Sequence, residues 1–321
     1  MPHAWRFCSI FFILVSLSNY PVTIFSQPLQ EIRVGSSVLG FSSFPSYFAR
    51  DRGFFTREGL DAKMIYMQTN VGLAALSAGN VDYSNLATSA IEGALRGLPL
   101  RLVAVTNAQP LWGLVVRKEI GKVADLKGKK IAVSSFGGSA YAAAVYVLRH
   151  HGLRSKEDVT LLPAGGTTER IAALKHGSVD AAIISAPGDI KAAGEGFKIL
   201  LDTGSFYKLP NGGISTTVKK IRESPNEVRK VVHGVIRATR FIIDPQNREE
   251  IVTYIGSAFK LDRNSADEFY RRIVPTLSPT GTVEMDKIKL VIESAVERGL
   301  TTKPADPESV VDFSFARDIG S

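Results

Sequence analysis

The chain has 321 residues, 45% of them hydrophobic and 22% charged. That balance excludes a disordered or fibrous chain, and the length admits two compact lobes. The net charge of +8 is modest, and the basic clusters VRK, KGKK and VKK have no aromatics between them, so nucleic acid is not expected as a partner.

The first element is a leader. MPHAWR carries one Arg and no acid, FCSIFFILVSL is an apolar run of eleven, and polar SNYP follows. This is the layout of a secretory signal peptide, residues 1–26, with cleavage after Ser18 or Ser26. A run of eleven is short for a bilayer span, and Asn19 and Pro21 interrupt its extension. The mature chain is therefore expected to be periplasmic and to carry no membrane span. Its only cysteine, Cys8, leaves with the leader, so no disulfide, zinc site or cysteine nucleophile is expected. Losing Arg6 with the leader leaves 38 basic residues against 31 acidic, or +7.

Next comes a duplication. Residues 61–97, DAKMIYMQTNVGLAALSAGNVDYSNLATSAIEGALRG, and residues 158–196, DVTLLPAGGTTERIAALKHGSVDAAIISAPGDIKAAGEG, both read strand, turn, helix, Gly, Val-Asp, strand, turn, helix. Gly79 matches Gly177 and Asp82 matches Asp180, each 98 residues on. Upstream, residues 31–60 match KIAVSSFGGSAYAAAVYVLRHHGL (130–153). Downstream, RLVAVTNAQPLWGLVVRK matches FKILLDTGSFYKLPNGGISTTVKK. A repeat this long is a duplicated lobe and no solenoid unit. Alternating strands and helices imply an α/β fold of two lobes with mainly parallel sheets, and ligands on such sheets sit at the carboxyl ends of the strands. Asp82 and Asp180 lie beside glycines away from that edge and read as turn residues.

The turns at the ligand edge are short necks of small and polar residues. KKIAVSSFGGSA (129–140) is the richest in glycine. It lacks the basic residue of a phosphate-binding P-loop and the spacing of a dinucleotide fingerprint, so no nucleotide cofactor is expected. Two readings of it stand: a nest of N–H groups at a helix start that holds a ligand, or a tight turn with an N-cap. The candidate ligand-binding residues are Ser43, Phe44, Thr69, Asn70, Thr88, Ser89, Asn107 and Trp112 from the first copy. From the second copy they are Ser135, Phe136, Gly137, Gly138, Ser139, Thr167, Ser185 and Pro187. Several have a capping alternative: Ser89 with Glu92 as a capping box, Thr167 or Thr168 as an N-cap, and Pro187 at a first helical position. Trp112 reads equally as a stacking surface or as packing at a strand end. No metal or catalytic residue is expected. His150, His151, His176 and His233 fall on helices or helix ends, and no Ser-His-Asp or H-E-x-x-H pattern appears.

The segments FPSYFARDRGFFTREGL (44–60), AALSAGNVDYSNLATSA (74–90), VADLKGKKIAV (123–133), ALKHGSVDAAIISAP (173–187) and SPNEVRKVVHGVIRATRFIIDPQN (224–247) resemble the periplasmic substrate-binding proteins of ABC importers, the nitrate, sulfonate and taurine class. Thiamine-pyrimidine synthases share that fold. The resemblance implies lobe 1 from residues 30–115 and 220–321, lobe 2 from 116–219, and crossing segments near Val115–Val123 and Gly213–Lys219. It also implies a helical tail from about residue 221 that packs on lobe 1, a monomeric chain that binds a small molecule, and a permease and an ATPase as separate partner chains. Where many relatives carry Trp before the prolines of the first and last necks, this chain has Phe44 and Ala186. Binding without chemistry is the expected function. An enzyme on the same fold and a ligand-sensing module for a membrane receptor are the alternatives.

Overall fold

Apolar runs of four to eight residues form strands here, and the 3.6-periodic segments between them form helices, in the order expected. The computed structural model of the chain describes residues 28–319 apart from residues 37–38, 68, 137–138, 207, 303 and 318 and the side chains of Thr69 and Asn70. The expected signal peptide lies outside the described residues, as do Gly137 and Gly138.

The first copy runs β1 (Gln30–Ser36), α1 (Phe44–Asp51), α2 (Phe54–Arg57), β2 (Leu60–Tyr66), α3 (Thr69–Ser77), β3 (Tyr83–Leu86), α4 (Ala87–Leu95), β4 (Leu100–Asn107) and β5 (Trp112–Val116). The second runs β6 (Lys130–Val133), α5 (Ser139–His150), β7 (Thr160–Pro163), α6 (Thr167–Lys175), β8 (Ala181–Ser185), α7 (Gly188–Gly194), β9 (Lys198–Asp202) and β10 (Gly212–Thr217). The tail is helical: α8 (Val218–Glu223), α9 (Pro225–Ile243), α10 (Arg248–Phe259), α11 (Arg263–Ile273), α12 (Met285–Glu297) and α13 (Ser314–Arg317).

Two five-stranded sheets result, in the orders β2-β1-β3-β10-β4 and β7-β6-β8-β5-β9. In each, four strands run one way and one is reversed: β10 is antiparallel to β3 and β4, and β5 to β8 and β9. Each reversed strand belongs by sequence to the other copy, so the copies have exchanged their last strands. All five residues of β5 are buried, as are the first five of β10. Such strands need a partner on both sides, and each finds them inside the opposite sheet. The chain therefore passes between sheets at residues 108–111 and 203–211, earlier than the Val115–Val123 and Gly213–Lys219 segments expected from sequence. Trp112–Val116 stands in the second sheet.

The duplicated turns match atom for atom. Gly79 and Gly177 both have left-handed backbone, φ 78° and 74°, which only glycine adopts without strain. The N–H of Arg33 donates to Asp82 Oδ2 at 2.8 Å, and that of Lys130 to Asp180 Oδ2 at 2.9 Å. Both aspartates thus tie their turn to a neighbouring strand, β1 at Arg33 and β6 at Lys130.

The tail packs on the first sheet, as expected. Val228, Val231, Val232, Val235, Ile236 and Ile242 form one buried face of α9, and Gly234 lies so close to α2 that a Cβ there would stand 2.8 Å from Phe55 Cδ1. Phe44 is fully buried and meets Phe48, Tyr254, Phe259 and Phe269 at centroid distances of 5.9–6.0 Å. This aromatic knot anchors α10 and α11 to α1. Below it, Lys220 bridges Asp82 at 3.1 Å and Glu227 at 2.8 Å. Burial works against Asp82's charge, but the Arg33 N–H and Lys220 outweigh it and hold the carboxyl below its usual range.

Candidate functional site between the sheets

The carboxyl ends of the two sheets meet. The N–H of Phe41, in the neck after β1, donates to the carbonyl of Ala186, in the neck after β8, at 3.3 Å. Phe41 also packs edge-on against Trp112, centroids 6.1 Å apart and planes at 82°. Trp112 is only 7% exposed. Of its two readings, packing at the lobe contact is the one the geometry supports.

On the first sheet's edge the polar side chains of Ser36, Ser43, Asn85, Thr88 and Asn107 are buried. Asn85 Nδ2 donates to Ser36 Oγ at 2.9 Å, while Asn85 Oδ1 has no partner among the described residues. Thr88 donates to the carbonyl of Pro210 on the second crossing, and Asn107 Nδ2 to the carbonyl of Phe41 at 3.2 Å. Ser43 Oγ receives the Gly40 N–H at 3.0 Å and so braces its own turn. Phe44 belongs to the aromatic knot and turns away from the edge. Ser89 is half-buried in the first turn of α4, but that helix starts at Ala87 with Leu86 as N-cap, and Glu92 pairs with Arg298 of the tail. The expected capping box therefore does not form: the helix begins three residues earlier, and its acid has a stronger partner.

The second sheet's edge has a different character. Ser135 and Phe136 are exposed, Phe136 by 66%, and Phe136 lies edge-on to Tyr141 at 6.0 Å. Ser139 opens α5. Thr167 Oγ1 lies 3.0 Å from Ser185 Oγ, so it bridges to β8 and does not cap α6, whose N-cap is Gly166. Pro187 is the N-cap of α7 and not its first helical residue, and the peptide before it is cis. The sequence reading left out Arg170, which comes up beneath this edge from the first turn of α6. It is 6% exposed and donates to the carbonyls of Gly166, at 3.1 Å, and Ile183, and to Thr167 Oγ1 at 3.3 Å. Burial lowers its pKa to about 10, against the opposing pull of the Glu169 charge beside it. An arginine in a helix's first turn opposes the helix dipole, and that signal was open to inspection.

At the crossing side lies a cavity of about 360 Å³, lined among others by Gln109, Leu111, Asp202, Ser205, Lys208 and Arg272. Arg272 of α11 reaches across the lobes to Asp189 Oδ2 at 2.7 Å and Asp202 Oδ2 at 3.3 Å. Asp189 is wholly buried, and burial pushes its pKa up to about 6 although Arg272 pulls the other way. Gly113 makes room for it: a Cβ there would stand 2.9 Å from Asp189 Oδ2. The histidines lie elsewhere. His150 and His151 pack on Phe206, at 4.8 and 5.4 Å, His176 caps α6, and His233 is within α9.

The NMT1/THI5-like family model matches residues 41–248. The chain belongs to this family. No curated protein sequence matches it. Among solved structures it resembles the periplasmic nitrate-binding protein NrtA from Synechocystis PCC 6803 (TM-score 0.74, 14% identity, covering 91% of this chain and 88% of that one). It also resembles the periplasmic aliphatic sulphonate binding protein SsuA from Escherichia coli (0.70, 19%, 87% and 91%) and the alkanesulfonate-binding protein SsuA from Xanthomonas axonopodis pv. citri bound to MOPS (0.74, 18%, 88% and 98%). These are periplasmic binding proteins, and the shared two-lobed fold is the one expected from sequence. No helix among the described residues is long and apolar enough to cross a membrane.

Proposed function

We propose that this protein is an extracytoplasmic solute-binding protein that captures one small ligand between its two sheets and delivers it to an ABC importer whose permease and ATPase are separate chains. The observation that carries this reading is the convergence of two strand-end edges, pinned at Phe41 and Ala186 and furnished with hydroxyls and amides from both lobes. The crossings at 108–111 and 203–211 are the hinge. A ligand touching Thr88 and Ser89 on one lobe and Ser135, Ser139, Thr167 and Ser185 on the other makes all its contacts only when the lobes are closed, so it shifts the equilibrium to that state. The closed form is what the membrane partner reads. The leader in residues 1–26 supports export to the periplasm, and the family likeness supports import over sensing. Neither edge presents a histidine or an acid to a ligand from its neck residues, which favours binding over turnover. Titration calorimetry of the mature protein against a metabolite panel tests this: one ligand per chain and no product are expected, and stoichiometric conversion of a bound compound contradicts it.

A further inference from the structure

Arg272 joins two parts of the molecule that the crossings divide. Its helix, α11, is held to the first sheet: Phe269 lies edge-on to Phe44 of α1 at 5.9 Å. Just past the helix, the carbonyl of Thr276 accepts the Ala108 N–H at 2.7 Å, and the N–H of Ser278 donates to the carbonyl of Thr106 on β4 at 2.9 Å. The carboxylates that Arg272 meets belong to the second sheet. Asp189 is in the first turn of α7, against Gly113 at the start of β5, and Asp202 ends β9, directly before the crossing at 203–211. Neither is free to follow Arg272. Asp189 is wholly buried and its Oδ1 accepts the Ile190 N–H at 2.8 Å, while Asp202 Oδ1 accepts the Gly204 N–H at 2.9 Å. Each carboxylate is thus fixed to its own backbone, with Oδ2 turned to one nitrogen, Arg272 Nη2, at 2.7 and 3.3 Å. The crossings themselves touch, since a Cβ on Gly204 would overlap the carbonyl of Pro110.

Resting on the reading of 108–111 and 203–211 as a hinge, we propose that Arg272 is a latch across it: Arg272 grips the second lobe in one arrangement, the one in this structure, and turning the lobes about the crossings releases it. Hydrogen bonds to two fixed acceptors survive only small displacements, so a turn that carries α7 away from α11 breaks both at once. Release leaves Asp189 buried without its cation, and the latched arrangement is therefore a discrete state and not a point on a continuous motion. The cavity beside Arg272 gives its side chain room to swing free. A second pair also spans the lobes, Arg149 of α5 with Glu297 of α12 at 3.7 Å, but both side chains are more than half exposed and water can replace either partner. Arg272 is a positioning residue: it stands on neither neck and acts on the lobe angle alone.

The test uses the mature protein without ligand, well below its melting temperature. Spin labels on Asn80→Cys and His176→Cys, one on each lobe, are read by pulsed electron resonance. The parent's distance distribution is expected to contain a component at the separation seen in this structure. Arg272→Met is expected to shrink that component by at least about threefold. The double variant Asp189→Asn with Arg272→Met, in which no charge is stranded, is expected to keep it small. Arg298→Met is the control: it breaks a similarly buried pair, with Glu92, that stays on the first lobe, and should leave the component as in the parent. A parent without the component, a component that survives in Arg272→Met or returns in the double variant, or an equal loss in Arg298→Met overturns the proposal. No ligand enters the experiment, so each of these results leaves the solute-binding reading to stand or fall by calorimetry.

Discussion

Replacing Arg272 with Met should destabilise the protein in a way that depends on pH, because it strands Asp189. Asp189 is wholly buried, with Arg272 Nη2 at 2.7 Å and the Ile190 N–H at 2.8 Å as its polar contacts. Its pKa of about 6 in the folded chain lies above the 3.8 of a free carboxyl. The group therefore contributes stability that is present below about pH 3.8 and lost as pH rises through about 6. Without Arg272 the folded chain must keep Asp189 protonated to still higher pH, at about 1.4 kcal/mol for each pH unit above its present pKa. The extra loss is then near zero at pH 5 and grows to about 1 kcal/mol at pH 7 and about 3 kcal/mol at pH 8. The pair with Asp202 is more exposed and adds no more than about 1 kcal/mol, nearly constant over that range. Urea denaturation of the variant and the parent at pH 5, 6, 7 and 8 measures the gap, and the double variant Asp189→Asn with Arg272→Met should flatten it. A gap that does not change with pH, or is widest at pH 5, refutes the reasoning.

Gly113→Ala should cost about 1–3 kcal/mol, since the new Cβ meets Asp189 Oδ2 at 2.9 Å and Asp189 Cβ at 3.0 Å in a tightly packed strand; thermal denaturation measures it, and an unchanged melting temperature contradicts it. Phe44→Ala should cost about 3–5 kcal/mol by opening the aromatic knot, while ligand affinity measured well below the melting temperature stays within threefold, because the ring faces α10 and α11 and not the cleft. Ser89→Val should leave the free protein's melting temperature within a few degrees and weaken ligand binding more than tenfold.

The two copies, their turns and the amphipathic α9 were legible because each rests on local signals: a periodicity, a left-handed glycine, an acid beside it. The exchange of β5 and β10 was not. A buried apolar run of five or six residues tells that a strand is central but not which sheet receives it, and so the crossings were placed several residues late. The capping readings of Ser89 and Thr167 failed for a related reason. A cap is only the default for such a residue, and tertiary partners, Arg298 for Glu92 and Ser185 for Thr167, outcompeted it. Asn85 sits three residues before Thr88, where the candidates on that turn begin, and Phe44, an aromatic beside a proline, turns into the core. Arg170 carries its charge from a helix to the underside of β8, a contact across 13 residues, and Arg272 meets Asp189 across 83, which no spacing rule reports.

The central claim is that ligand closes two lobes about the crossings at 108–111 and 203–211. Asn80 and His176 are exposed, occupy equivalent turns of the two copies and lie on different lobes away from the meeting edges. Spin labels on Asn80→Cys and His176→Cys, read by pulsed electron resonance, report the separation of the lobes. Saturating ligand is expected to replace a broad, longer distribution with a single shorter distance, and Ser89→Val to abolish the change at the same ligand concentration. A distance distribution unaltered by a ligand that calorimetry shows to be bound would contradict the account.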